Sequence, residues 1–105
     1  SDPMYELHAT LFTLRNSQIS TIKDLQYKRV GAIDKYYANL VQKSTGNSVE
    51  IIMYDDYPPL VEALKKGEID VLIDDVESVV YYFIKTGQMN RFRQISDKRL
   101  HFYNK

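Results

Sequence analysis

The stretch Leu60-Val-Glu-Ala-Leu-Lys-Lys-Gly-Glu-Ile-Asp-Val-Leu-Ile-Asp-Asp-Val-Glu77 decides the fold of this 105-residue chain. Residues 60–66 carry apolar side chains at helical spacing, with charged residues between them. Gly67 ends this predicted helix, because glycine adopts a left-handed conformation without steric cost. Ile69 to Ile73 then form a nearly continuous apolar run, typical of a strand that is covered on both faces.

The flanking sequence alternates strand and helix patterns. Further helices are expected at residues 35–44 and 76–86, and further strands at residues 5–14, 27–33, 49–54, 92–95 and 100–103. One strand followed by three β–α units predicts an α/β fold, with a three-layer, doubly wound and mostly parallel sheet. The first strand is expected to run antiparallel within that sheet.

Composition and charge exclude several classes of protein. Fourteen basic and fourteen acidic residues give a formal net charge of zero, which argues against a nucleic-acid or anionic-membrane partner. The chain contains no cysteine, which excludes disulfides, thiolate chemistry and cysteine-ligated zinc. No apolar run approaches the roughly 20 residues that span a bilayer. Residues 1–4 are interpreted as a cloning remnant, and residues 5–105 as a single α/β lobe.

Polar residues follow three of the predicted strands, at the edge of the sheet where ligands bind in open α/β folds. They are Asp34, Lys35 and Tyr36 after the second strand, Tyr54 after the third, and Asp74 and Asp75 after the fourth. Each group precedes a helix, whose free N–H groups favour an anion. Donors beside a fixed carboxylate suit a zwitterion, since the donors would hold its carboxylate and an aspartate its ammonium group. Alternatively, these acids cap the helices.

Three segments carry a resemblance to a known family. Gly67 to Asp75 resembles the "G-x-(I/V)-D-A-hydrophobic-hydrophobic-x-D" segment in the second lobe of periplasmic amino-acid-binding proteins. Residues 81–87, Tyr-Tyr-Phe-Ile-Lys-Thr-Gly, resemble the glutamine-binding proteins of ABC transporters. Residues 22–31 resemble the entry to the same lobe. The chain is therefore similar to the second lobe of a type II solute-binding protein.

The resemblance implies a two-lobed parent that closes on a small polar amino acid or a similar zwitterion. Residues 5–14 and 99–105 would be hinge crossovers, and Asp75 would hold the ligand's α-ammonium. Where the family has a Gly-Ser/Thr pair that contacts the ligand, this chain has Asp34-Lys35-Tyr36-Tyr37, so Lys35 or a tyrosine hydroxyl would substitute. Since the first lobe is missing, the chain alone should bind ligand weakly and tend to self-associate.

The resemblance also implies a periplasmic or other extracytoplasmic location, with a membrane permease or signalling domains as partners. No cofactor, metal or catalytic residue is expected. The main alternative is the ligand-sensing domain of a histidine kinase or a cyclic-dinucleotide enzyme, and the effector domain of a LysR-type regulator shares the fold. A dehydratase of this fold and a phosphoacceptor receiver domain are weaker alternatives. His8 and His101 are interpreted as sheet residues, and the basic residues near the C-terminus as a solvated face.

Overall fold

The structure is a computed structural model that describes residues 9–96. Its strands are β1 (Ala9–Leu14), β2 (Arg29–Ala32), β3 (Glu50–Met53), β4 (Val71–Asp75) and β5 (Phe92–Ile95). Its helices are α1 (Lys35–Ser44), α2 (Tyr57–Lys66) and α3 (Val76–Lys85), with 3-10 turns at Ile22–Leu25 and Met89–Arg91. The strand predicted at residues 100–103, both histidines and the hinge segments other than residues 9–14 lie outside the described residues.

The strands form one sheet in the order β3-β2-β4-β1-β5. β2 runs parallel to both β3 and β4, whereas β1 runs antiparallel to both β4 and β5. β1 therefore lies inside the sheet, between β4 and β5. The predicted α/β fold, mostly parallel with one antiparallel strand, is confirmed.

Two hydrophobic cores lie on opposite faces of the sheet, which makes the fold three-layered. One core joins the sheet to α1 and the first 3-10 turn, and the other joins it to α2 and α3. Successive side chains of β4 point to opposite faces of the sheet, so this strand contributes to both cores. Val71 and Ile73 belong to the first core and Leu72 to the second. None of the three helices between residues 9 and 96 combines the length and apolar character required to cross a bilayer.

Several elements have bounds that differ from the predicted ones. Helix α2 begins at Tyr57, ahead of the apolar pattern at Leu60, because Asp56 caps it and the two prolines at positions 58 and 59 fit its first turn. β4 begins at Val71 rather than Ile69 and extends through both acids at its end. Gly67 ends α2 as predicted, in the left-handed conformation with φ of 78°.

Candidate ligand-binding rim

Three strands end side by side at one edge of the sheet. Ala32 of β2 pairs with Met53 of β3 on one side and with Ile73 of β4 on the other. Helices α1, α2 and α3 begin directly beyond this edge, which we call the rim. β1 starts there as well, since Ala9 pairs with Asp75. The parallel topology therefore brings together the strand ends that the sequence predicted to meet.

Asp75 is the last residue of β4 and the N-cap of α3. Its Oδ2 accepts hydrogen bonds of 2.9 Å from both the backbone N–H and the side-chain hydroxyl of Ser78. The residue is partly exposed, so the carboxylate is not sealed beneath other side chains. Helix capping fixes the orientation of this carboxylate at the rim, and capping is therefore compatible with a role in binding.

Asp74 lies beneath the rim, with only 6% of its surface exposed. Tyr57, the first residue of α2, donates its hydroxyl hydrogen to Oδ2 of Asp74. Burial raises the pKa of the Asp74 carboxyl, and the hydrogen bonds from Tyr57 and from the backbone of Asp75 compensate only in part. The nearby carboxylates of Asp75 and Asp34 raise this pKa further.

The phenol of Tyr57 is held by packing as well as by its hydrogen bond. Its ring stacks on Tyr82 of α3, with a centroid distance of 5.1 Å and an interplanar angle of 26°. Burial and the hydrogen bond to Asp74 raise the pKa of Tyr57 above its usual value. The hydroxyl therefore stays protonated and serves as a permanent donor to the buried carboxylate.

The N-terminus of helix α1 is capped by the side chain of Asp34. Oδ1 of Asp34 accepts the backbone N–H of Tyr36 at 2.8 Å, and the carbonyl oxygen of Asp34 accepts the N–H of Tyr37 at 3.1 Å. Two of the N–H groups that the sequence offered to a ligand carboxylate are therefore already bonded. Lys35 and Tyr36 are exposed at this corner of the rim.

Tyr37 turns from α1 toward the rim acids. Burial raises the pKa of its hydroxyl to about 12, and Asp75, Asp74 and Asp34 contribute to this rise. Its ring meets that of Tyr36 edge to face, with centroids 5.6 Å apart. Tyr37 is buried in the core on the α1 side of the sheet.

The hydroxyl of Tyr54 does not lie with the other predicted ligand-binding residues at the rim. Its ring covers Gly31, with Cε1 3.3 Å from the position that a Cβ on that glycine would occupy. The pKa of Tyr54 is raised by burial and by Glu68, and Arg29 lowers it. Both charged residues lie at the opposite edge of the sheet, so the hydroxyl of Tyr54 is directed away from the rim.

The rim has a strongly negative character. The carboxylates of Asp34, Asp74 and Asp75 act electrostatically on one another, with Lys35 as the neighbouring cation. Between residues 9 and 96 no group of three or more histidine, aspartate or glutamate side chains is placed to hold a metal ion. The arrangement suits an organic cation, since a fixed, capped carboxylate accepts hydrogen bonds from an ammonium group.

No protein-family profile matches this sequence, and no curated protein does so either. Solved structures do match. The second substrate-binding domain of a proposed amino-acid ABC transporter from Streptococcus pneumoniae is 27% identical with a TM-score of 0.70, over 91% of this chain and 44% of that one. This chain has the fold of one lobe of a type II periplasmic binding protein.

Two further structures share this binding-protein lobe. A polar amino-acid uptake binding protein from Streptococcus thermophilus has a TM-score of 0.74 and 22% identity, over 87% of this chain and 38% of that one. An arginine transport-system periplasmic binding protein from Legionella pneumophila has a TM-score of 0.72 and 23% identity, over 89% and 43%. The chain spans less than half the length of each of these proteins, as a single lobe would. The resemblance to amino-acid-binding proteins is confirmed.

Proposed function

We propose that this chain is the second lobe of an extracytoplasmic solute-binding domain. Its two-lobed parent captures a small polar amino acid or a similar zwitterion for ABC transport. The lobe fold, shared with amino-acid-binding proteins of ABC transporters, supports this assignment. The rim is the surface that the missing lobe would close upon, and a membrane permease would be the parent's partner.

The observation that carries the proposal is the placement of Asp75. Its carboxylate is held at the rim by two hydrogen bonds from Ser78, and the residue remains partly exposed. Such an acceptor loses little conformational entropy when an ammonium group binds. Asp74 beneath it and Asp34 beside it add negative potential, which favours a cationic group at this point.

The ligand's carboxylate is held elsewhere. The N–H groups of Tyr36 and Tyr37 at the start of α1 already donate to Asp34, so these two do not bind an anion. Lys35 is the exposed cation at this corner, and it or the missing lobe supplies the positive contact. One lobe thus provides half of a site, and the isolated chain binds amino acids weakly. The surface left uncovered at the rim favours self-association of the isolated lobe.

A matched pair of substitutions in the two-lobed parent tests this assignment. Asp75→Asn keeps the capping oxygen but removes the charge, and calorimetric affinity for the parent's amino-acid ligand should fall about 10- to 100-fold. Asp56→Asn is the control, because the side chain of Asp56 also caps a helix, accepting the N–H of Tyr57 at the start of α2, and asparagine caps equally well. Equal affinities for Asp75→Asn and the unmodified parent would remove Asp75 from the site.

An uptake assay separates transport from sensing. Deleting the parent gene should abolish high-affinity uptake of the ligand by cells. Normal uptake together with loss of a ligand-dependent signalling response would instead identify the parent as a sensor.

A further inference from the structure

A polar cavity of about 570 Å³ lies far from the rim. Helix α1 begins at the rim and runs back across the sheet, so the loop after it lies at the opposite end of the fold. This loop, residues 44–48, and the segment around Tyr27 line the cavity, which is open to solvent. The cavity is therefore separate from the proposed amino-acid site.

Tyr27 occupies a turn position that favours glycine. The N–H of Lys28 donates to the carbonyl of Leu25 at 2.8 Å, and Gln26 has φ of −54° and ψ of 123°. Tyr27 follows with φ of 65°, which completes a type II turn with tyrosine at its third position. Glycine is strongly favoured there, because a side chain with positive φ meets its own backbone.

In this unfavourable conformation the aromatic ring of Tyr27 lies in solvent. Tyr27 is 83% exposed, so packing in the core does not explain the choice of tyrosine. Within residues 9–96 the non-glycine residues with positive φ are Tyr27 and Asn47, and both line this cavity. Strained backbone at a cavity is a feature of functional sites, where the surrounding structure enforces the conformation.

The two sides of the cavity are firmly connected. The N–H of Tyr27 donates to the carbonyl of Ser48 at 2.7 Å, and the N–H of Asn47 donates to the carbonyl of Gln42 at 2.8 Å. The first bond joins the backbones of the two sides, and the second holds the loop against the end of α1. The backbone around the cavity is thus fixed in place, which lowers the entropic cost of binding a ligand.

The cavity lining is polar and mostly uncharged. Gln26 and Asn47 supply amide donors and acceptors, and Lys23 is the charged residue. The hydroxyls of Ser44 and Thr45 each donate at 2.8 Å to a carbonyl of α1, which leaves their oxygens as acceptors. Acceptor oxygens and amides around an exposed aromatic face match a neutral ligand with many hydroxyl groups and an apolar ring face.

We propose that this cavity binds a neutral saccharide. One pyranose ring lies on the face of Tyr27, where its C–H groups meet the negative face of the aromatic ring. Its hydroxyl groups bond to the amides of Gln26 and Asn47 and to the oxygens of Ser44 and Thr45. An N-acetylated sugar and a plain glucose oligomer share this chemistry.

The test uses the 105-residue chain, labelled with ¹⁵N and titrated separately with triacetylchitotriose and with maltotriose. Saturable shifts of the amides of residues 26–27 and 46–48 are expected with at least one of them, and the comparison identifies the sugar class. Tyr27→Phe should keep this binding, whereas Tyr27→Gly should weaken it about tenfold or more. Tyr81→Ala, which removes another exposed tyrosine, serves as the matched control.

A thermal melt distinguishes a functional tyrosine from a structural one. Since glycine relieves the strain of the turn, Tyr27→Gly should melt a few degrees higher than the unmodified chain while losing saccharide binding. The proposal is overturned if neither sugar produces saturable shifts, or if Tyr27→Gly binds as well as the unmodified chain.

Discussion

The hydroxyl of Tyr57 donates a hydrogen bond to Oδ2 of Asp74, and this bond ties the start of α2 to the end of β4. Seventeen residues separate the two partners. A carboxylate that is 6% exposed needs such a donor, because an ionised group without partners is costly to bury. The bond therefore stabilises the negative charge at the base of the rim.

Tyr57→Phe should destabilise the protein at neutral pH by about 1–3 kcal/mol, since it removes one of the hydrogen-bond donors to a buried carboxylate. The loss should shrink when the pH falls through the raised pKa of Asp74, because a neutral carboxyl group is less costly to bury. Urea unfolding followed by circular dichroism at several pH values measures both effects. Tyr81→Phe, at an exposed tyrosine of α3, should change stability by less than about 0.5 kcal/mol. An equal loss in both variants would contradict the importance of the bond.

Asp74→Asn should stabilise the protein at neutral pH, by about 1 kcal/mol. The folded state raises the pKa of Asp74 above its ordinary value of 3.8, chiefly through burial, so the folded protein holds this proton to a higher pH than the unfolded chain does. Stability is therefore lost as the pH rises from about 4 through the folded pKa, and the penalty is complete above it. Asparagine carries no such penalty but still accepts the hydrogen bond from Tyr57. The gain should disappear near pH 3 in urea titrations, and a gain that persists there would contradict this explanation.

Asp70→Asn should have the opposite pH dependence. Burial raises the pKa of Asp70, but hydrogen bonds from the side chain and backbone of Arg29 outweigh it and leave the pKa below 3.8. This carboxylate contributes stability above pH 4, which is lost as the pH falls through the folded pKa. Because the Arg29 side chain is 41% exposed, solvent screens the pair, and the cost at pH 7 should be about 1 kcal/mol. The same urea series measures it, and a cost that grows toward pH 3 would count against the ion pair.

Much of the fold was predictable because its signals are local. Gly67 ends a helix by its own backbone freedom, and apolar runs such as Val71 to Ile73 indicate strands that are covered on both faces. The start of α2 is also marked locally, since Asp56 caps it and two prolines occupy its first turn.

The rim was predictable only in part. Asp75 and Asp34 could be predicted as rim residues because each lies at the end of a predicted strand. The part played by Tyr57 could not, because it depends on a contact between distant parts of the chain, for which no local pattern exists. The position of Tyr54 could have been predicted from the alternation of side chains between the two faces of a strand. Ile52 in β3 and Tyr54, just beyond its end, lie on the same face, and both pack against the core beneath α2.

Gly31→Ala should destabilise the protein by about 1–3 kcal/mol through overpacking. A Cβ at this position would lie 2.4 Å from Cδ1 of Ile69 and 2.7 Å from Cδ1 of Leu60, and both side chains are buried. Ile69→Val removes the nearer of these methyl groups and should cost about 0.5–1.5 kcal/mol alone.

The double variant Gly31→Ala/Ile69→Val identifies the atom responsible. If Cδ1 of Ile69 is the main obstacle, its removal makes room for the alanine methyl group, and the combined loss falls below the sum of the single losses by about 0.5 kcal/mol or more. Guanidinium unfolding of the four proteins measures this difference. Additive losses would instead assign the clash to Leu60, so that α2 rather than the segment before β4 would have to shift to admit any side chain at position 31.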